Sequence, residues 1–438
     1  MKRWISIISW QRLKIYQTAI HSLFFVRGNF MRDFSMSRRS FIVNSAVGVA
    51  LASALPSSVK GQDKPKIQGF DETDTAVDPN AKWEPFTDRK LRIGIAGYGL
   101  CQFGAQFGLQ DHPNAEVVAV TDLFPDRCAG LAKACRCEKT YESLEEMVKD
   151  DSIEAVFIAT DAPSHADLAC LALKHGKHVA SAVPAIFGDV EHAYRLYETV
   201  KETGLYYGMF ETSAFHDDVY QARKIYNAGG FGQMIYTEGE YYHFGVGVLE
   251  VYKNWRRGLP PQWYPTHSNA YYTCVTGNSF TSVSCVGHVS KEEEYQPGQN
   301  PYNNYFGTET ALFTTSEGGS ARMVVSWDSW GWGGETGRMR GELGAFNGGY
   351  AGRNEEVNNI VAKLGDLRKP ALPPTVTPGS HGGSHGYLGS NFIESILKDR
   401  HPLVNVAVAL NTTVPGIVAH TSALKDGETL RIPEFKMW

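Results

Sequence analysis

The sequence predicts an α/β fold with two sheets: a doubly wound parallel sheet, then a second α/β domain on a large open, mainly antiparallel sheet. Three observations predict it. From Leu91 to Asp122 a short apolar strand breaks at Gly97-Tyr98-Gly99, continues as a helical stretch, and gives way to a second apolar run, Val117 to Val120, ending in Asp122. Over residues 91–210 apolar strands alternate with helical stretches, the pattern of successive βαβ units. After Glu211 the strands lengthen and alternate apolar with polar residues, as in an antiparallel sheet with one covered face.

The first unit carries its own chemistry. Gly97 permits a tight turn, Gly99 lets backbone approach a bound pyrophosphate, and Leu100 continues the turn. A helix starting there would offer free N–H groups and a positive dipole end to that anion. Asp122, at the end of the second strand, is placed to accept hydrogen bonds from both ribose hydroxyls of a dinucleotide. Its charge would repel a 2′-phosphate, so the cofactor implied is NAD rather than NADP. The third glycine of G-x-G-x-x-G would fall at position 102, which is Gln102; the next glycine is Gly104. Two glycines occur in many βα turns, so the reading rests on the whole order of strand, turn, helix, strand and terminal acid.

Further strands are expected at Ile153–Ala159, Lys177–Ser181 and Leu205–Phe210, separated by helices Ser164–Lys174 and Val190–Thr203. This gives a nucleotide-binding Rossmann domain over 90–210. A helix, Asp217–Asn227, opens the second domain, 211–438. Its strands are expected at Met234–Phe244, Ser282–His288, Glu309–Thr315, Ser320–Ser326 and Arg338–Leu343. Pro370–Gly386 is rich in Pro, Gly and His and reads as a long loop. Two terminal helices follow, Ser390–Lys398 and Val404–Ala423. An open sheet also leaves a face through which a homo-oligomer could form.

The net charge of −5 hides an asymmetry: residues 1–60 hold 9 Lys/Arg against 1 Asp. The body is therefore acidic, which argues against nucleic acid as a partner. The basic start resembles a twin-arginine export signal. Ser37-Arg38-Arg39-Ser40-Phe41-Ile42 precedes a small, apolar stretch to Leu55, and Ala52-Ser53-Ala54 is an A-x-A cleavage site. That stretch is short for a membrane span, so no span is expected to remain after export. Residues 1–61 are read as the signal region, with Met36 as the true start, and 62–89 as a linker or surface arm. The expected location is the periplasm or the exterior. A route that carries folded proteins suits a chain that acquires its nucleotide before export. The 7 cysteines form no C-x-x-C pair, so core or surface thiols are expected rather than a metal site or disulfide framework.

At this point several motifs fall in a recognisable order. The GIAGYG turn is followed by AVTD with Asp122, IATDAPSH (Ile158–His165), LKHGKHV (Leu173–Val179) and LKDGETLRIP (Leu424–Pro433). Together they resemble the Gfo/Idh/MocA superfamily, the glucose–fructose oxidoreductase and inositol dehydrogenase relatives, over about residues 90–435. The resemblance implies a second domain whose sheet face covers the nicotinamide, and chemistry on a sugar or polyol. It places Thr160 and His165 beside the adenosine–nicotinamide bridge and Pro184 at the nicotinamide pocket. Tyr264-Pro265-Thr266-His267 is similar to a motif of the superfamily's NAD-dependent glycoside hydrolases, the α-N-acetylgalactosaminidase-like group. Those enzymes oxidise a sugar hydroxyl, eliminate the aglycone, add water and reduce again. Two departures stand out. Family dehydrogenases carry Glu-Lys-Pro after the GKHV strand, with the Lys as proton shuttle, where this chain has Ala182-Val183-Pro184. The hydrolase group keeps the Glu, and its tyrosine four residues past Glu211 is Phe215 here.

Alcohol oxidation by NAD needs a base for the hydroxyl proton. A histidine near its ordinary pKa of ~6.5 suits that task at neutral pH. His267, in a loop after Trp263, is the first candidate, against a histidine simply satisfied within that loop. If the following segment is helical, Tyr271 shares its face at i, i+4. Glu211 and His216, at the carboxyl end of a parallel strand, face the cofactor crevice and are candidates for nicotinamide or substrate contacts. Tyr242 and His243 end the first long strand of the second domain and could line the pocket. His381 and His385 flank a Gly-rich loop that could close over substrate. Their spacing would bring them together only on a helix, which Gly382 and Gly383 oppose, so no metal site is expected. Trp327, Trp330 and Trp332 read equally as an aromatic platform for sugar or as core. The leading reading is an exported NAD(H)-dependent oxidoreductase of a carbohydrate. Two others stand beside it: a glycoside hydrolase using NAD as an internal redox aid, and a non-catalytic sugar-binding homologue.

Overall fold

The computed structural model describes residues 81–438. The twin-arginine segment, Met36 and most of the linker lie outside the described residues. The first sheet has six parallel strands: β1 Leu91–Ala96, β2 Ala115–Thr121, β3 Thr140–Tyr141, β4 Ala155–Ile158, β5 His178–Ser181 and β6 Tyr207–Met209. Their order is β3-β2-β1-β4-β5-β6. The direction of winding reverses between β1 and β4, so the crevice at their carboxyl ends is where a ligand binds in such a sheet. Helices Pro125–Cys135, His165–Lys174 and Glu191–Thr203 supply crossovers. Ile93, Ile95, Val156 and Phe157 are fully buried between the layers.

One crossover departs from expectation. No α-helix follows the Gly97–Gly99 turn. The chain instead makes two single 3₁₀ turns, Phe103–Ala105 and Leu109–Asp111. Left-handed residues interrupt it, Gln102 at φ 52° and Gly108 at φ 68°. An interior glycine costs a helix about 1 kcal/mol, and this segment has two, Gly104 and Gly108. Phe107 is held instead by the core, its ring 5.4 Å from Phe157 and 4.9 Å from Phe210. The helix dipole proposed for the pyrophosphate is therefore absent.

The second sheet has eight strands: β7 Met234–Tyr242, β8 Phe280–Val289, β9 Phe306–Thr315, β10 Ser320–Ser326, β11 Gly334–Gly341, β12 Gly344–Phe346, β13 Tyr350–Gly352 and β14 Leu430–Arg431. Their order is β13-β12-β11-β7-β10-β9-β8-β14. Every pairing is antiparallel except β7 with β10. Helix Thr266–Thr276, buried along its whole length, covers one face. The other face carries the ion pairs of Glu238 and Glu240 with Arg322 and Arg338, together with exposed Val286 and Leu312. It is the open face.

The first sheet ends at Met209 and the second begins at Met234, and the C-terminal segment contacts both. Val404 O accepts from Met209 N at 3.0 Å, extending the first sheet's edge. Helix Val406–Ala423 then lies on the second sheet, where Ser422 Oγ accepts from Cys285 N at 3.0 Å. The preceding helix runs His385–Leu397 and starts five residues earlier than the sequence suggested. The end of the arm is fastened by Asn114, whose Nδ2 donates to Thr87 O and Arg89 O at 2.7 and 3.0 Å. No helix among the described residues is long and apolar enough to cross a membrane.

Candidate active site

A groove of about 830 Å³ opens at the carboxyl ends of β1 and β4, lined by Gly97, Gly99, Leu100, Asp122, Thr160 and His165 among others. Gly97 sits at φ 104°, where an added Cβ would overlap Ala159 O. Gly104 packs so close to Gly97 O that a Cβ there would overlap it too. The close-packing role of the third glycine thus passes from position 102 to Gly104. At Gly99 an added Cβ would meet nothing within 4 Å, so this side of the turn is open to a ligand. The amides of Gly99, Leu100 and Cys101 donate to no acceptor among the described residues. These amides, rather than a helix end, are the anion cradle. Asp122 accepts from Tyr98 N at 2.7 Å and from Phe124 N at 2.9 Å, which fixes its carboxylate at the groove wall. His165 is fully buried, its ring nitrogens 2.8 Å from Pro184 O and 3.3 Å from Thr160 O. Burial lowers its pKa, so a neutral ring ties the two strand ends together. These residues fit a dinucleotide: an open glycine turn with free amides, and an acid at the second strand's end.

The groove continues into an inner cavity of about 280 Å³. Cys101, Phe103, Ala182, Val183, Arg256 and Tyr264 line both. Val183, where family dehydrogenases carry lysine, stands at the junction. Deeper in, the cavity is lined by Thr212, Tyr241, His243, His267 and His381.

His267 lies in the first turn of helix Thr266–Thr276 rather than in a loop. Its Nδ1 is 2.7 Å from Glu211 Oε1 and 3.7 Å from Glu335 Oε1. Nε2 makes no hydrogen bond among the described residues, and the ring borders the cavity. Burial would lower its pKa, but the Glu211 and Glu335 carboxylates outweigh burial and carry it to about 9. The expectation of an ordinary histidine pKa is thereby corrected: this ring is charged at neutral pH. Glu335 is held in turn. Burial would raise its pKa, but the charge of His267 and the contact with His216 hold it at about 2. His216 Nε2 lies 3.0 Å from Glu335 Oε2, and Ser213 Oγ donates to the same oxygen at 3.1 Å.

Several predicted residues stand elsewhere than expected. Glu211 is fully buried behind His267, with Oε1 accepting from Ser213 N at 2.9 Å; it lines neither cavity and positions the histidine instead of touching cofactor. His216 is likewise behind the wall, on Glu335. Pro184 presents its carbonyl to His165 and does not line the groove. Tyr271 is fully buried against β11, where a Cβ on Gly337 would overlap its ring. Burial and the Asp218 charge raise its pKa far above the ordinary phenol value, and it lines neither cavity. Tyr242 faces the open side of the sheet; its neighbour Tyr241 faces inward, 4.6 Å from the His267 ring. A strand alternates its faces residue by residue, so this reading was off by one residue. His381 lines the inner cavity, but His385 sits behind it, 4.4 Å from the Phe107 ring. The two do meet, at 3.0 Å, because His381, Gly382 and Gly383 all take positive φ and fold the loop back without a helix. Burial, then the neighbouring His381, lower the His385 pKa to about 4. Trp327 is core, its Nε1 donating to Leu259 O at 3.1 Å, whereas Trp330 and Trp332 are exposed.

Sequence reasoning missed Glu335, Tyr241 and Arg256. Glu335 sits in a Gly-rich strand start with no local signal. Tyr241 was recoverable from the strand period. Arg256 follows a tryptophan in an irregular loop, and only its place at the junction marks it.

Comparisons with known proteins agree with this geometry. Residues 91–210 match the Gfo/Idh/MocA model, described as an oxidoreductase family with an NAD-binding Rossmann fold. Glycosyl hydrolase family 109 protein 1 of Bacteroides thetaiotaomicron is 30% identical over 176 residues, 38% of this chain and 38% of that one. A glycosyl hydrolase family 109 protein of Porphyromonas gingivalis is 28% identical over 176 residues, 38% of this chain and 37% of that one. The matched part thus spans well under half of either relative. Among solved structures, levoglucosan dehydrogenase in complex with NADH and levoglucosan superposes with TM-score 0.63 at 17% identity, covering 79% of this chain and all of that one (100%). Scyllo-inositol dehydrogenase from Lactobacillus casei, with NAD(H) and scyllo-inositol, gives 0.60 at 17%, covering 78% and 99%. These likenesses show a shared fold.

Proposed function

We propose that this chain, whose residues 91–210 match the model of an NAD-binding Rossmann-fold oxidoreductase family, holds NAD there and interconverts an alcohol and a carbonyl on a sugar, polyol or derivative. The observation that carries this is His267, which borders a cavity continuous with the nucleotide groove and whose Nε2 makes no hydrogen bond among the described residues. NAD held in that groove supplies the acceptor or donor of hydride. The chain's part is the proton. In oxidation the hydroxyl proton passes to Nε2; in reduction Nε2–H returns it to the new alkoxide. Glu211 fixes the ring through Nδ1 and stabilises its charged form. Tyr241 and Tyr264 wall the cavity with aromatic faces suited to a sugar ring.

The test is direct. The purified chain is assayed for NADH formation against a panel of sugars and polyols, and for NADH consumption against the matching ketoses and keto-sugars. Turnover that falls at least about 10²-fold in His267→Ala, with nucleotide content unchanged, supports the reading. Full activity in that variant rejects His267 as the proton-exchanging group.

A second reading is redox-assisted glycoside hydrolysis. It is favoured by the glycosyl hydrolase family 109 relatives and by the Tyr264–His267 motif. Aglycone release from a chromogenic glycoside without net NADH would establish it.

Two further points are proposals of the same kind. The chain is exported by the twin-arginine route; normal periplasmic recovery of an Arg38→Lys/Arg39→Lys variant in a Gram-negative host would reject that. It forms a homo-oligomer through the open face of the second sheet; a monomeric mass by light scattering would reject that.

A further inference from the structure

We propose that the inner cavity takes a sugar or polyol bearing a carboxylate, and that Arg256 binds that group. The cavity's use as a substrate site rests on the redox reading above; its charge does not. No carboxylate lines the inner cavity, whereas Arg256, His243, His267 and His381 all do. Glu211 and Glu335 lie behind the histidines and are already engaged by them, and Glu250, next to the cavity residue Leu249, lines the outer groove instead.

Arg256 lies against two aromatic rings. Its guanidinium carbon lies 4.3 Å from the Trp255 ring centroid and 5.4 Å from that of Tyr264. The two rings are nearly parallel, 20° apart. The guanidinium donates towards the Tyr264 hydroxyl, and its remaining N–H groups keep the fork that matches a carboxylate. No carboxylate among the described residues lies within ion-pair distance of Arg256, whereas Arg322 and Arg338 on the open face are both paired with glutamates.

Tyr264 links this cation to the proton-exchanging group. Its ring centroid is 5.7 Å from that of His267 and 5.4 Å from the Arg256 guanidinium. A six-carbon sugar acid seated against Tyr264 can place its carboxylate on Arg256 and a ring hydroxyl at His267. A neutral sugar would offer the half-buried Arg256 no counter-charge, whereas a carboxylate supplies one. The competing anion is the nucleotide's pyrophosphate, because Arg256 also borders the groove. That anion already has the free amides of Gly99 to Cys101.

The full chain, loaded with NADH, is titrated calorimetrically with D-glucuronate, D-galacturonate and D-gluconate, each against neutral D-glucose, D-galactose and D-glucitol. At least one acid should bind at least about 10-fold tighter than its neutral counterpart. Arg256→Met, which keeps an apolar stem on Trp255, should erase that preference and change NADH affinity less than about 5-fold. The proposal is overturned if no acid binds, if the neutral compounds bind as well, or if the preference survives in Arg256→Met. A larger loss of NADH affinity in that variant overturns it too, by assigning Arg256 to the pyrophosphate. Failure of the redox reading shows separately, as a chain that takes up no NADH. The same acid-against-neutral titration on that nucleotide-free chain still decides the cavity's charge preference.

Discussion

His267 Nδ1 lies 2.7 Å from Glu211 Oε1, with Glu211 wholly removed from solvent. The contact holds the ring through Nδ1, and it sets the proton's affinity. With Glu335 as the second negative neighbour, the imidazolium persists to about pH 9. Alcohol oxidation needs the neutral ring, so its kcat/KM should rise with pH and level off only above about 9. Carbonyl reduction needs the charged ring and should be fastest below that point. Glu211→Gln removes one of the two charges and should move both half-points down by at least about one pH unit, a change of about 1.4 kcal/mol in the ring's two forms. Paired pH–rate profiles of the two directions decide this. Half-points left in place by Glu211→Gln would show that Glu211 does not set the ring's charge.

The same shift is a statement about stability. The His267 pKa is higher folded, about 9, than its ordinary 6.5. Its charged form therefore contributes fully below pH 6.5, and the contribution is lost as pH rises through 9. Thermal unfolding between pH 6.5 and 9.5 should lower Tm more in the unmodified chain than in His267→Gln. Glu335 runs the opposite way. Its folded pKa is about 2 against an ordinary 4.5, so its contribution is present above 4.5 and lost as pH falls towards 2. Between pH 5 and 3 the unmodified chain should lose more Tm than Glu335→Gln. Parallel Tm curves for a variant and its parent would remove that group from the account.

Tyr271 separates position on a helix from access to the site. It shares a face with His267 by spacing, yet its ring is pressed against β11 at Gly337. Tyr271→Phe should leave kcat within about 2-fold, since the hydroxyl it removes is outside the cavity, while Tyr241→Ala, which strips the cavity wall beside His267, should cost at least about 10-fold in kcat/KM. Steady-state kinetics on both variants make the comparison. A large kcat loss in Tyr271→Phe would restore it to the proton path.

The parts of this molecule that were legible in its sequence are those whose partners are close along the chain or whose period is regular. The Gly97 turn and Asp122 lie within one βαβ unit, and Asp122 closes back on Tyr98 N within it. Strand β10 kept its predicted limits, Ser320–Ser326, because a short β-branched apolar run there is bounded by the Gly318-Gly319 turn on one side. Helix Thr266–Thr276 was legible only as a condition: buried on every side, it shows no apolar stripe for a periodicity to find. The helix expected after Gly99 failed for the opposite reason, since an apolar run with glycines packs as turns when the core claims Phe107. Glu335 was invisible because its meaning lies in residues 122 positions away, where Ser213 meets it. The Tyr242-for-Tyr241 slip shows how one residue of register moves a side chain from solvent to site.

The last prediction concerns the nucleotide turn. Gly97 combines φ 104° with backbone contact to Ala159, so Gly97→Ala strains the turn whether or not nucleotide is present. Gly99 meets nothing within 4 Å, so Gly99→Val should fold normally and fail only when the pyrophosphate arrives. The two glycines are thereby separable. Gly97→Ala should lower Tm, whereas Gly99→Val should keep Tm within about 2 °C of the parent and weaken NAD binding by at least about 10². Asp122→Ala frees the Tyr98 and Phe124 amides at the groove wall and removes the charge that repels a 2′-phosphate. NAD affinity should fall by about 10-fold while NADP affinity rises, so that the preference narrows or reverses. Calorimetric titration of both nucleotides against the three variants, with Tm in parallel, is sufficient. If Gly99→Val bound NAD as the parent does, the pyrophosphate would have to lie elsewhere than on the Gly99–Cys101 amides. If Asp122→Ala kept its preference for NAD, the carboxylate would be holding the loop and not reading the ribose.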